Sequence, residues 1–382
     1  MKIGIVGNYG NDNQGDEAIL EGILIQVEEA FQLKRQEILV FTNNPLQTNM
    51  KFGVQTVPLF QNRRTDPMKF LATLLHNTPV IRKLDLLLMG GGGILQDLYR
   101  NNPIVYGMYS LMARRAKTPL MLYGPGVGPL RTKFGRAVIS SIANNAAAVA
   151  VRDAESKQLL EDIGVRGEVH VISDPALFNE APKKSERQGD GFRIGVTAVP
   201  YYKKPYWPSA DSERYDRYIT GMAANLDCLL EEIPNATLQF FSMKHPYDTE
   251  SAKDIHALMK YKERAEVYDK GLNHREILEL ASGQDLVVGT RLHSLILSLV
   301  AQTPVIGVSY HEKVKDFMEM AECGDSVVPI DAFGEQGDLL FEKYQSLAAD
   351  WTASCHRFEK VASKMRTKEP NGMELLKKHF IK

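Results

Sequence analysis

The stretch Asp285-Leu-Val-Val-Gly289-Thr-Arg291-Leu-His293-Ser294, followed after an apolar run by Pro304-Val-Ile-Gly-Val308-Ser-Tyr-His311-Glu-Lys313, decides how the chain is read. Its opening residues form an apolar run of strand length, so Thr290, Arg291, Leu292 and His293 fall where a strand gives way to a helix. Residues 294–301 supply that helix, and residues 304–308 read as the next strand, ending at Ser309 to Lys313. Two neighbouring strand ends thus carry Arg291, His293, His311 and Lys313 toward one crevice, the kind of place where open parallel sheets bind ligands. A helix start offers N–H groups to anions, and Arg291 adds a planar fork matched to carboxylate or phosphate. His293 beside it can move protons near neutral pH. Plainer roles compete: Arg291 could pair with a buried carboxylate, and His293 could bond a carbonyl in the first helical turn. Four basic or titratable groups at two adjacent strand ends favour a site.

At 382 residues the chain is long enough for two domains, each with its own core. Lysine plus arginine (46) nearly balances aspartate plus glutamate (47), so no global charge recruits nucleic acid or an anionic membrane, and any anion must be held locally. Cys228, Cys323 and Cys355 are far apart. They support neither a disulfide framework nor a zinc site, and they fit a reducing compartment. Met1-Lys-Ile-Gly-Ile-Val-Gly7 reads as a strand and turn rather than a secretory signal, and no apolar run reaches bilayer-spanning length. The expectation is a cytoplasmic protein, with peripheral contact at the inner face of the membrane left open.

Strand-like runs at residues 2–6, 38–41, 54–58, 84–89, 119–123, 146–151 and 169–172 alternate with helical segments. The alternation restarts at 192–197 and continues through 238–241, 267–268, 285–289, 304–308 and 326–330. This pattern predicts α/β architecture, with parallel sheets covered on both faces. The polar stretch 182–191 is read as a linker between a first domain, 1–181, and a second, 192–337. A final helix over residues 338–365 carries Leu340, Tyr344, Leu347, Trp351, Cys355 and Phe358 on one stripe and needs a partner surface.

Several loops stand out along the way. Gly7-Asn8-Tyr9-Gly10-Asn11-Asp12-Asn13-Gln14-Gly15-Asp16-Glu17 lacks both the lysine of a Walker loop and the dinucleotide glycine spacing. Its Asp16 and Glu17 suit a helix dipole, or Asn8, Asn11 and Asp16 could grip sugar hydroxyls. Gly90 to Gly93 are costly to order and make sense where backbone lies close to something else: tight strand-to-helix packing or, the favoured reading, a ligand. Arg152 also stands at a strand end, with Asp153 or Glu155 as plain ion-pair partners. Tyr201-Tyr-Lys-Lys-Pro-Tyr-Trp-Pro208 could stack on a sugar, touch lipid head groups, or form a packed surface loop.

Taken in order, the early loop ending Gly15-Asp-Glu-Ala-Ile-Leu20, Gly90-Gly-Gly-Gly-Ile-Leu-Gln-Asp97, Gly124-Pro-Gly-Val-Gly-Pro129, Val151-Arg-Asp153, Asp174-Pro175, Gly289-Thr-Arg-Leu-His293 and Ser309-Tyr-His-Glu-Lys313 form a series. With that series the chain resembles the polysaccharide pyruvyl transferase family, and within it the CsaB enzymes of bacterial cell-wall polymer synthesis. The resemblance implies a GT-B arrangement of two Rossmann-like domains facing a cleft. It also implies a C-terminal segment, 338–382, that crosses back to pack on the N-terminal domain. The implied reaction moves the enolpyruvyl carbons of phosphoenolpyruvate onto two hydroxyls of a lipid-linked saccharide containing N-acetylmannosamine. The products are a cyclic pyruvate ketal and phosphate, and the modified polymer anchors surface-layer proteins.

That chemistry needs cations for a carboxylate and a phosphate, and an acid to protonate the methylene carbon. Arg152, Arg291, His293, His311 and Lys313 are the donor-binding candidates. Arg291, His293 and Lys313 are the catalytic ones, with His293 as the acid and His311 or Glu312 as further candidates for proton transfer. Asn8, Asn11, Asp16, Gly91 and Gly92 are the candidates for the acceptor sugar. No cofactor besides phosphoenolpyruvate as co-substrate is expected, and no metal. Two rivals remain: a glycosyltransferase of the same fold using a nucleotide sugar, with Glu312 as its ribose grip, and a non-catalytic saccharide-binding protein.

Overall fold

The computed structural model describes residues 1–62, 65–98, 101–182, 191–207, 209–334, 336–368 and 370–381. The chain divides into two compact units, the first made of Met1–Asn11, Asp16–Phe178 and Arg366–Lys382, the second of Asp12–Gly15 and Asn179–Met365. Most of the stretch read as a linker, residues 183–190, lies outside the described residues.

In the first unit β1 (Ile3–Val6), α1 (Gln14–Phe31), β2 (Ile38–Thr42), α2 (Pro45–Phe52), β3 (Gln55–Pro58), α3 (Asp66–Ile81) and β4 (Leu86–Gly90) follow one another. Next come α4 (Asn101–Ala116), β5 (Leu120–Tyr123), α5 (Lys133–Asn145), β6 (Ala148–Val151), α6 (Ala154–Asp162) and β7 (Val169–Val171). The strands pair in parallel in the order β3-β2-β1-β4-β5-β6-β7. Strands β1, β4, β5 and β6 are buried along their whole length, as continuous apolar runs require when helices cover both faces.

The second unit repeats the plan. It contains β8 (Phe192–Val196), α7 (Ser212–Glu232), β9 (Ala236–Phe240), α8 (Tyr247–Leu258), β10 (Ala265–Val267), α9 (His274–Ser282), β11 (Leu286–Gly289), α10 (Leu292–Val300), β12 (Val305–Ser309), α11 (Glu312–Met320) and β13 (Val327–Pro329). The parallel order is β10-β9-β8-β11-β12-β13. In each sheet the direction of winding reverses once, between β1 and β4 and between β8 and β11. These reversal points are where doubly wound sheets open a crevice at their carboxyl ends.

The C-terminal segment differs from expectation in one way. The helix expected over residues 338–365 is broken into α12 (Leu339–Ala348) and α13 (Trp351–Arg366). Asp350 accepts a hydrogen bond from the Ala353 N–H and starts a new helix, although the apolar stripe runs on across the break. Residues 338–365 belong to the second unit, where the rings of Tyr344 and Trp351 stand 5.5 Å and 5.4 Å from that of Phe192. Only Arg366–Lys382 joins the first unit. There α14 (Gly372–Phe380) sets Gly372 so close to Tyr123 that a Cβ would stand 2.6 Å from its hydroxyl.

Candidate functional site

At the reversal point of the second unit, hydroxyls tie the end of β8 to the end of β11. The Thr290 N–H donates to Thr197 Oγ1 at 2.9 Å, the Thr290 hydroxyl donates to the Thr197 carbonyl, and Thr197 Oγ1 lies 3.2 Å from Ser294 Oγ. All three side chains are fully buried. Gly289 lets the first turn of α10 close over the strand, since a Cβ there would stand 2.5 Å from Leu295 and 2.8 Å from the Ser294 hydroxyl. The backbone of Arg291 at the N-cap and of His293 in the first turn is therefore fixed by packing beneath it.

Arg291 is not an open clamp. Its Nε donates to Asp248 Oδ2 at 3.2 Å and its Nη2 to Oδ1 at 2.5 Å, a two-point grip on a carboxylate with no exposed surface. The plainer role, pairing with a buried carboxylate, is thus present. The physical reason is that a guanidinium 12% exposed needs a counter-ion. Burial would lower the Arg291 pKa, but Asp248, Tyr206 and Tyr310 reverse that and raise it well above the usual arginine value. Asp248 lies in the first turn of α8, just beyond the end of β9, and also accepts the N–H groups of Met243 and Lys244 at 3.1 Å and 2.9 Å. Four donors converge on one carboxylate.

The aromatic loop is packed through its rings. Tyr206 accepts a hydrogen bond from Arg291 Nη1, and its ring lies 4.6 Å from the guanidinium. Trp207 packs edge-on against Tyr310, 5.8 Å between centroids, and Tyr206 against Tyr247 at the same separation. The Lys244 ammonium stands 5.3 Å from the Tyr206 ring. Burial pushes the Tyr310 hydroxyl up to about 12, against the pull of the Arg291 charge, so it is a proton donor at neutral pH. Four rings and two cations therefore share this corner. Pro208 lies outside the described residues.

His293 is partly exposed, and its ring is met by Gly15, which belongs to the same unit. A Cβ on Gly15 would stand 2.5 Å from His293 Nδ1 and 2.7 Å from Cγ. The neighbouring Gln14 N–H donates to the Met243 carbonyl at 2.9 Å. At the next strand end, His311 caps α11: its Nδ1 accepts the Lys313 N–H at 3.3 Å. An N-cap that engages a ring nitrogen is a structural task, which the donor-binding expectation for His311 left out of account. Lys313 lies one residue into the helix and is partly exposed.

The first unit treats its candidates differently. Asn8 donates to Asp16 at 2.8 Å and Asn11 donates to Asn8 at 2.6 Å, so the three residues expected to grip a sugar already form one chain of hydrogen bonds. The glycine run lies closely packed on α1. Gly91 and Gly92 have φ of 73° and 68°; a Cβ on Gly91 would run into Ile19 Cγ2, and one on Gly92 would stand 2.6 Å from Asp16 Oδ1. The motif's last residue, Asp97, holds the N-cap of α5, Thr132, by accepting from the N–H groups of Arg131 and Thr132 and from the Thr132 hydroxyl. Burial acts to raise its pKa, but these hydrogen bonds outweigh it and hold the carboxylate below its usual range. Arg152 sits in the first unit, nearly buried, paired with Asp153 at 3.2 Å and Asp174 at 3.4 Å. The other four donor candidates belong to the second unit, and the charge of Arg152 is answered by two carboxylates.

Asp248, Tyr206 and Lys244 are absent from the sequence-derived set. An Asp two residues after a His-Pro pair, at a helix start that follows a strand, is a faint signal for the first; only the sheet order gives it a partner.

Known proteins fit this architecture. Solved structures of similar fold include Anabaena HepE in complex with UDP and glucose, at 14% identity and a TM-score of 0.62, covering 99% of this chain and 97% of that one. A putative UDP-N-acetylglucosamine 2-epimerase from Listeria monocytogenes is similar at 14% identity and a TM-score of 0.64, with 99% and 94% covered. Both likenesses establish the fold: two parallel-sheet α/β domains of the GT-B type found in glycosyltransferases and epimerases. In sequence, the amylovoran biosynthesis protein AmsJ of Erwinia amylovora is 20% identical over 356 residues, 82% of this chain and 84% of its own length. The family model for polysaccharide pyruvyl transferase matches residues 13–312, which is most of the chain and includes the second reversal point, between β8 and β11. With Arg291, His293 and His311 inside that span, the chain belongs to the polysaccharide pyruvyl transferase family.

Proposed function

We propose that the protein transfers the pyruvyl group of phosphoenolpyruvate to two hydroxyls of a lipid-linked saccharide, as in the CsaB branch of the family, forming a cyclic ketal and releasing phosphate. The acceptor in that reading contains N-acetylmannosamine, and the product enters a cell-wall polysaccharide that anchors surface-layer proteins. The observation that carries the reading is the corner at the end of β11, where His293 follows an arginine immobilised by Asp248.

His293 donates a proton to the methylene carbon of phosphoenolpyruvate. The cation that forms at the neighbouring carbon is captured by the first hydroxyl, which loses its proton to a base; His293, now neutral, can receive it. Phosphate then leaves with the electron pair of its C–O bond, and the second hydroxyl attacks the same carbon, passes its proton to the departing phosphate and closes the ring. Arg291, charged and held in one orientation, contributes a fixed field, while Lys313, Lys244 and the start of α10 supply attraction for the donor's carboxylate and phosphate. Asp248 is the group that keeps Arg291 in place, and Asn8, Asn11 and Asp16 face the acceptor's hydroxyls in this reading.

The test is acceptor-dependent phosphate release. Purified protein is incubated with phosphoenolpyruvate and a panel of model and lipid-linked saccharides, and phosphate and ketal are measured together. The proposal predicts equal amounts of both, only when a suitable acceptor is present. Turnover of nucleotide sugars in the absence of phosphoenolpyruvate would refute it in favour of glycosyl transfer.

A further inference from the structure

We propose that the exposed face of α3 in the first unit docks on a bilayer surface rich in anionic lipid. Among the described residues ten large apolar side chains are exposed, and five of them lie on α2 and α3: Leu46, Met50, Met68, Leu71 and Leu75. On α3, Met68, Leu71 and Leu75 are 55%, 58% and 70% exposed and spaced three and four residues apart, so they share one side of the helix. The opposite side is accounted for, since Thr73, Asn77 and Ile81 are buried and Phe70, Leu74 and Val80 pack on the core of the unit. The helix thus has two apolar sides and a covering for one. Contiguous exposed apolar surface of this kind marks an interaction site.

Charge selects the occupant. Residues 43–84 contain Lys51, Arg63, Arg64, Lys69, Arg82 and Lys83 against the single acid Asp66, leaving forty basic residues against forty-six acidic ones in the rest of the chain. Between Asp66 and Asp85 there is no acidic residue, and Arg82 and Lys83 are exposed directly beyond the last turn of α3. An apolar stripe with basic residues along and after it is the signature of a helix lying in the interface of an anionic membrane. A two-fold contact between copies would instead bring two such basic segments together, which opposes association. The helix can lie on a bilayer but not cross it: no helix among the described residues is long and apolar enough to span a membrane.

The proposal does not depend on the pyruvyl transfer reaction and is tested without it. The full chain is floated with phosphatidylcholine vesicles that contain or lack phosphatidylglycerol, at low and high salt. Partition should be roughly tenfold or more stronger with phosphatidylglycerol and weaken as salt rises. The double variant Leu71→Glu, Leu75→Glu should lose roughly tenfold or more of that binding at an unchanged unfolding temperature. The variant Arg82→Glu, Lys83→Glu should lose the preference for the anionic vesicles. Absent binding by the native protein, or undiminished binding by the leucine variant, would overturn the proposal. So would light scattering that shows a native dimer converted to monomers by the leucine substitutions.

Discussion

The two reversal points occupy the same address in two copies of one fold and are filled in opposite ways. At the first, glycines with positive φ let α1 come down on the sheet, and the polar groups Asn8, Asn11 and Asp16 bond to one another. At the second, the backbone is held by buried hydroxyls beneath, and the space above carries Arg291, His293, Lys244 and four aromatic rings. A glycine-rich loop and a charged loop at equivalent positions therefore differ in what they accomplish. One brings elements close together, and the other holds groups that can act on a substrate.

This contrast can be broken by substitution. The largest effect is expected at Asp248. Asp248→Ala leaves a nearly buried guanidinium without its counter-ion and should cost about 3–5 kcal/mol of stability, read from denaturant unfolding. It should also reduce turnover of whatever remains folded. A change below about 1 kcal/mol would mean the pair contributes little to holding the site.

Gly91→Ala should come next, at about 2–3 kcal/mol, because it combines an unfavourable φ with overpacking against the β-branched Ile19. The loss should appear in thermal unfolding with the acceptor KM unchanged. Unaltered stability with a raised acceptor KM would return this glycine to a ligand-contacting role and erase the contrast.

His293→Ala is expected to lower turnover by about a hundredfold, near 2.7 kcal/mol of barrier, with phosphoenolpyruvate binding largely retained in a titration. Full activity would remove the imidazole from the mechanism.

The smallest and sharpest effect is at Gly15. An added methyl group meets the His293 ring, so Gly15→Ala should reduce turnover by about tenfold through displacement of the acid, with phosphoenolpyruvate affinity little changed. If turnover matches the native protein, His293 does not depend on that neighbour.

Much of this was legible in the residues. The strand runs, their alternation with helices and the restart at Phe192 follow from apolar runs and period, and the described strands begin within two residues of the expected positions. Strand ends then put Arg291 and His293 at the second reversal point by topology alone. The partner of Arg291 was not legible, because Asp248 lies 43 residues earlier and reaches it only through the order β9-β8-β11. The packing partners of the glycine run were hidden for a related reason. Sequence says that backbone must approach something, and only the docking of α1 identifies Ile19 and Asp16 as that something. The break at Asp350 carried a visible signal in its capping residue, masked by a stripe that continued past it.

The central claim is that an exchangeable acid of this site protonates the methylene carbon of phosphoenolpyruvate on the way to a ketal. The most direct measurement runs the reaction in deuterium oxide and determines the label in the methyl group of the isolated ketal by mass spectrometry. The account predicts one deuterium per methyl group, at a rate that falls about a hundredfold in His293→Ala. A ketal methyl without deuterium, or phosphate released while the saccharide stays unmodified, would contradict it.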